Sequence, residues 1–169
     1  GKGSVQAQDS EGKIIYADKI TYEKQIEFLL AEGKVKIIDN EGNFLKTDKA
    51  TYDKINEKIV TYNNTELILK EGYKLIAKNI SYNTSKKILH SNQNSFFSDS
   101  DGNTVETSMF QYHIENNLFS SIGKIKIIDI NRNKYFFKEL HIDTKKKEMV
   151  GSDVSVILDQ KSFGVSEES

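Results

Sequence analysis

Apolar residues step by two along most of this chain and then slip. Ile15 and Ala17 alternate with their neighbours, and after one extra residue Ile20 and Tyr22 resume the alternation with opposite parity. A strand turns successive side chains to opposite faces, so a slip in its middle predicts a bulge or corner that brings the apolar residues back to one interior. The second run of each unit is read the same way: Phe28 and Leu30, then Gly33, Val35 and Ile37. A later unit has Leu118 and Ser120, then Gly123, Ile125 and Ile127. The β-branched and aromatic content, with no sustained 3.6-residue period, argues against a helix even across Tyr22 to Ala31.

The pattern recurs every thirty residues. Gly12, Gly42, Gly72 and Gly102 fall in register with Arg132, and ten residues after each come Tyr22, Tyr52, Tyr82, Tyr112 and Ile142. Ile15, Leu45, Leu75, Val105 and Tyr135 share an earlier apolar place. Each copy opens on a polar turn such as Glu41-Gly42, where glycine or asparagine accepts a positive φ. Self-similarity at this period marks a stacked array whose units bury their apolar faces only against neighbours. The expected fold is therefore all-β: a V-shaped β-taco or jellyroll of five tandem two-strand repeats. About ten strands at ~4.8 Å spacing make a trough on the order of 48 Å long with an unpaired edge at each end. The expected division is a tail or first edge strand over residues 1–11, the repeat domain over 12–160, and a C-terminal tail over 161–169.

The candidate interior comprises Ile15, Ile20, Tyr22, Leu45, Tyr52, Leu75, Ile80, Tyr82, Val105, Phe110, Tyr112, Phe137, Leu140 and Ile142 from the first strands. Phe28, Ile88, Leu118, Ile125 and Ile127 come from the second strands. Some of these pack a closed core and others face whatever the trough holds; residue type does not sort the two.

Composition narrows the function classes. Lys plus Arg number 24 against 25 for Asp plus Glu, a net charge of −1 with no basic excess for a phosphate backbone, so nucleic acid is not an expected partner. The longest apolar runs, such as Phe28-Leu29-Leu30-Ala31, fall far short of the ~20 residues of a spanning helix. With no cysteine there is no thiol nucleophile and no sulfur ligand for a metal. His90, His113 and His141 have no spaced carboxylate or cysteine partner that completes a metal or nucleophile set, so they read as surface histidines. Asp39, Asp99, Asp129 and Asp159 recur at repeat ends, where aspartate caps a reversal through its own backbone. The multi-ligand spacing of a calcium loop is missing. No catalytic residue, metal or cofactor is expected.

One resemblance rests on particular residues. Ala17-Asp18-Lys19-Ile20-Thr21-Tyr22, followed eleven residues after the tyrosine by Gly33-Lys34-Val35-Lys36-Ile37, resembles the repeat of OstA-like lipopolysaccharide transport domains. Thr47 to Tyr52, Ala77 to Tyr82 and Gly123 to Ile127 carry the same signs, so the resemblance covers roughly residues 12 to 159. It implies a periplasmic protein, associated with the outer membrane, whose candidate interior residues bind the lipid A acyl chains of lipopolysaccharide. Exposing one chain of about fourteen carbons to water costs ~11 kcal/mol at ~0.8 kcal/mol per CH₂, so such a trough must be dry. Among family members the ending Lys161 to Glu168 resembles the lead from an N-terminal periplasmic domain into an outer-membrane assembly barrel. That implies as partners the barrel domain, its plug lipoprotein, and a periplasmic bridge protein joined by edge-strand pairing. The bridge protein itself is the alternative member, and a β-solenoid scaffold or adhesin without lipid is the alternative outside the family.

Overall fold

The computed structural model describes residues 4 to 159, and within them one antiparallel sheet of sixteen strands is folded lengthwise. The strands are β1 (Val5–Gln8), β2 (Ile14–Ala17), β3 (Lys19–Glu23), β4 (Phe28–Ile38), β5 (Phe44–Asp53), β6 (Lys58–Ile68), β7 (Lys74–Lys78) and β8 (Ser81–Asn83). They continue as β9 (Ile88–Ser91), β10 (Ser95–Ser98), β11 (Thr104–Thr107), β12 (Phe110–His113), β13 (Leu118–Ile128), β14 (Lys134–Asp143), β15 (Glu148–Ser152) and β16 (Ser155–Ile157). One leaf of the fold runs β1-β2-β4-β5-β6-β7-β10-β11-β13-β14-β16. The other runs β3-β4-β5-β6-β8-β9-β12-β13-β14-β15. Five long strands pass through both leaves, and elsewhere the strand breaks at the crease.

The crease lies where the alternation slips. On first strands the inward residues step 15, 17, 20, 22, then 45, 47, 50, 52, with a step of three between the leaves. On second strands a bulge sets Glu32 to Val35 against Lys49 to Thr47, an extra residue held by Gly33 (φ 78°) and Lys34 (φ 46°). Asn63 and Gly123 also carry a positive φ at the creases of β6 and β13.

That bulge corrects the reading of the second strands. It carries the inward face from Ala31 to Val35, a step of four that leaves parity unchanged, so Leu29 and Ala31 point in and Phe28 and Leu30 point out. For the same reason Leu89 and Phe119 are buried, whereas Ile88 and Leu118 face outward, Leu118 being 40% exposed. Phe28, Ile88 and Leu118 are therefore not interior residues. The thirty-residue columns carry the signal: Leu29, Ile59, Leu89, Phe119 and Met149 are uniformly apolar, while Phe28, Lys58, Ile88, Leu118 and Glu148 are mixed.

A bend breaks ladder hydrogen bonds where backbone is buried, and an unpaired buried group is costly. Small hydroxyl residues occupy the crease and replace the lost partners. Thr61 Oγ1 accepts from the Ile80 amide at 2.9 Å and from Thr65 Oγ1 at 2.7 Å, and Thr47 donates to the Asn64 carbonyl at 3.2 Å. Ser91 donates to the Lys78 carbonyl and Ser95 to that of Gln93, both at 2.8 Å; Ser121 donates to the Met109 carbonyl at 2.7 Å and lies in close contact with Thr107. Among the described residues no buried side-chain nitrogen or oxygen lacks a partner.

Two sets of turns form the rims. Turns 9–13, 39–43, 69–73, 99–103 and 129–133 make the first; turns 24–27, 54–57, 84–87, 114–117 and 144–147 make the second. On the first rim Asp39 Oδ1 accepts from the amides of Glu41 and Asn43, and Asp99 and Asp129 repeat the arrangement. The Asp159 amide donates to Asn133 Oδ1 at 2.8 Å. Asn43 Oδ1 in turn accepts from the Lys70 amide, tying one turn to the next.

The repeat supplies its own controls for stability. Gly42 (φ 93°) and Arg132 (φ 66°) occupy the same turn place, and a left-handed residue with a Cβ costs about 1–2 kcal/mol. Arg132→Gly is expected to raise the thermal midpoint by about 2–4 °C and Gly42→Ala to lower it, checked by calorimetry. No gain at Arg132 would show that other contacts set that turn.

Candidate functional site

The interior between the leaves is dense in the middle and open on either side of it. Leu75, Ile80, Phe110, Ile125 and Leu140 are fully buried, as is Phe119, whose ring stacks on Phe110 at 5.8 Å. Of the sequence candidates, Ile15, Leu45, Tyr52, Val105, Tyr112, Ile127 and Phe137 are also buried, and Ile20, Tyr82 and Ile142 pack against them. Phe137 is seated because Gly151 lies against its ring: a Cβ there would overlap Cδ1 and Cε1. Tyr22 has the inward register, opposite Leu29, but stands at the end of the array where no further strand covers it and is 46% exposed.

Two cavities open between the rims. The first, of about 350 Å³, has Ile37, Leu45, Ile59, Leu67 and Leu89 as its apolar floor, with Lys13, Asp39 and Asn43 on one lip and Thr84, Lys87 and Ile114 on the other. The second, of about 680 Å³, has Phe97, Val105, Ile127, Ile142 and Met149 as its floor. Glu71, Asp99 and Asp129 edge it on one side, Lys147 and Glu148 on the other. The candidates thus divide: Leu45, Tyr82, Val105, Ile127 and Ile142 line a cavity, whereas Leu75, Ile80, Phe110 and Leu140 are closed core.

Tyrosine recurs near the second rim because its ring is apolar and its hydroxyl needs a polar neighbour. Tyr52 reaches across and donates to Asp9 Oδ2 of the first rim at 3.1 Å. Tyr112 donates to Thr144 Oγ1 at 2.9 Å, since the Thr144 hydroxyl proton is spent on the Asn117 carbonyl at 3.1 Å. Burial pushes Tyr82 up to about 12, and burial with the neighbouring Asp9 charge pushes Tyr52 up further, so these hydroxyls remain donors at neutral pH.

Between the cavities the rims touch. The third first-rim turn has Leu69 and Tyr73 where its equivalents have aspartate and, in three of the other four turns, asparagine. Tyr73 is buried, stacks on Phe97 at 5.3 Å, and donates its hydroxyl to the Thr144 carbonyl of the second rim at 2.8 Å. Phe97 continues the bar to Phe119 at 5.0 Å. Sequence reasoning missed Tyr73, Leu69 and Thr144. The available signal was the break in the turn columns.

The lips differ in charge. Asp9, Glu11, Asp39, Glu41, Glu71, Asp99, Asp101 and Asp129 stud the first rim, and Lys24, Lys54, Lys86, Lys87, Lys145, Lys146 and Lys147 the second. The histidines lie on the outer faces: His141 bonds Ser120 at 3.0 Å and Glu139 at 2.8 Å, and His90 stands opposite Gln111 and Ser81. His113 stands opposite Leu118.

Comparison with known proteins gives this architecture a family. The model of the OstA-like protein family matches residues 2–108, well over half of the chain. The chain belongs to the OstA-like family. No curated protein matches it. Among solved structures the OstA-like chain is similar to LptH of Pseudomonas aeruginosa, described as the LptA homologous periplasmic component of the lipopolysaccharide transport device. The identity is 13%, over 88% of this chain and 96% of that one, with a TM-score of 0.37. At that distance no residue of the OstA-like chain is matched to one of LptH.

The rim-to-rim bond at Asp9 makes a pH prediction for this OstA-like domain. Burial raises the Asp9 value, but the Lys13 amide and ammonium and the Tyr52 hydroxyl outweigh it, leaving the carboxyl below its ordinary 3.8. A lowered value stabilises the fold above the ordinary pKa and is lost as pH falls through the folded one. The stability gap between the parent and Asp9→Asn, measured by urea unfolding, is therefore expected to narrow below about pH 4. A gap independent of pH would contradict this role.

Proposed function

We propose that this OstA-like domain binds lipopolysaccharide in the periplasm, taking the acyl chains of lipid A into its interior, and passes it toward the outer membrane without any covalent step. The observation that carries the reading is the pair of apolar cavities opening between the rims of a folded sheet. A hydrocarbon chain gains from such floors in proportion to the area it removes from water, and needs no directional contact, which suits a cargo that moves on. Membership of the OstA-like family supports it.

The array's ends support a place in a chain of such domains. Val156 and Ile157 of β16 and Met149 and Val150 of β15 are about half exposed or more on the last strands, and Val5 of β1 and Tyr22 of β3 stand open on the first. An exposed, apolar, unpaired edge is a template for strand addition. On this reading the edges receive the periplasmic bridge protein, and the chain serves as the N-terminal domain before an outer-membrane barrel and its plug lipoprotein. The bridge protein itself is the other assignment within the pathway. The tail at 161–169, on which that choice was drawn, lies outside the described residues. A scaffold or adhesin requires a filled interior, and the two cavities count against it.

The test uses a photo-crosslinking residue at Leu45 or Ile142, each on a cavity floor, and at Leu118, equally apolar but on the outer face. Lipopolysaccharide adducts are expected at the first two and at least tenfold weaker at Leu118. Equal yields at all three sites would indicate nonspecific adsorption, and none at Leu45 and Ile142 in folded protein would sink the proposal.

A further inference from the structure

The interior is not one trough but two compartments with a bar between them. On the scale of a ~150 Å³ apolar cavity that takes up one benzene, about 25 Å³ per carbon, the first holds about fourteen carbons and the second about twenty-seven. That is about one acyl chain and about two. An amphiphile with more chains on one headgroup does not fit either compartment, and its chains do not divide between them while the bar is closed.

The bar has the construction of a latch. Each leaf is held by its own hydrogen-bonded ladder, and the rims are joined across the opening here by the Tyr73 hydroxyl on the Thr144 carbonyl, while the Tyr73–Phe97 stack, within one leaf, continues across to Phe119 and Tyr112 of the other. Thr144 is held in turn by Tyr112 and Asn117, so the second rim presents its carbonyl in a fixed direction. The third turn alone among the five departs from aspartate at its first position and supplies a ring at its last that reaches the other rim. The turns on either side keep their side chains bonded within their own rim. The hydrogen bond that closes the middle is neutral, and the Phe97 contacts with Tyr112 and Phe119 behind it are apolar and nondirectional, so this closure can be exchanged for acyl contacts.

Resting on the lipid reading, we infer that the Tyr73–Thr144 contact is a latch that sets how many chains the interior admits: closed, it accepts single-chain amphiphiles in either compartment, and it must open to merge the compartments for a multi-chain lipid. Tyr73, Phe97 and Thr144 are then determinants of ligand class, distinct from the cavity floors.

The chain contains no cysteine, so a pair introduced on opposite rims is unique. Lys70→Cys and Lys145→Cys lie on opposite rims beside the latch and leave Tyr73 and Thr144 themselves unchanged, and a bismaleimide with a reductant-cleavable linker would join them. The probes are a fluorescent fatty acid and fluorescent lipopolysaccharide, each titrated into the bridged and the cleaved protein. The bridged protein is expected to bind the fatty acid unchanged and lipopolysaccharide at least tenfold more weakly, with recovery on cleavage. Tyr73→Phe, which keeps the ring and removes the hydroxyl, is expected to speed lipopolysaccharide uptake several-fold and leave fatty-acid uptake unchanged. Bridged protein that binds lipopolysaccharide as well as cleaved protein does would overturn the latch and leave the lipid reading standing. Cleaved protein that binds neither probe would remove both.

Discussion

A strand bent in its middle gives up ladder hydrogen bonds where its backbone is most deeply buried, and this fold depends on how that loss is met. The crease needs residues small enough to let the two leaves approach and polar enough to pair with freed amides and carbonyls. Threonine and serine satisfy both conditions, and Thr47, Thr61, Thr65, Ser91, Ser95, Thr107 and Ser121 line the crease of the central copies, all buried. Where the first copy has Ala17 and Ala31 instead, the Asp18 amide bonds the Gly33 carbonyl directly at 2.8 Å. Valine at such a place would fill the same space and leave a peptide group orphaned.

From that crease the rest follows. Both leaves turn their apolar faces inward, so the widest gap lies at the rims, away from the small residues, and the rims are where turns and charges collect. Large rings fill the middle, where Phe97, Phe110, Phe119 and Tyr73 close the space. Aliphatic floors remain on either side. A cargo of hydrocarbon suits those floors because burial of apolar area is not directional; a polar ligand would find few partners below the lips.

The first strands were legible residue by residue. Their slip is a step of three, which moves apolar residues from odd to even positions and so shows in the bare pattern, as in Leu45, Tyr52, Val105 and Phe110. The second strands were legible as bent but not in their facing. Their bulge spends an even number of residues, so nothing in one copy distinguishes Phe28 from Leu29; only the columns across copies do. The closed middle was not legible, because it depends on which first-rim turn lies opposite which second-rim turn. Asp9 meets Tyr52 and Tyr73 meets Thr144, separations of 43 and 71 residues that arise from the twist of the leaves and have no period in the chain. The break at Leu69 and Tyr73 was visible, but its meaning required the opposite rim.

On the proposed function, acyl chains, and not sugars or phosphates, are what the interior holds. A direct measurement loads the protein with an environment-sensitive apolar dye and titrates it with intact and with fully deacylated lipopolysaccharide. Displacement of the dye by the intact molecule alone is the predicted result. Displacement by both, or by neither while the dye remains bound in the interior, would contradict it.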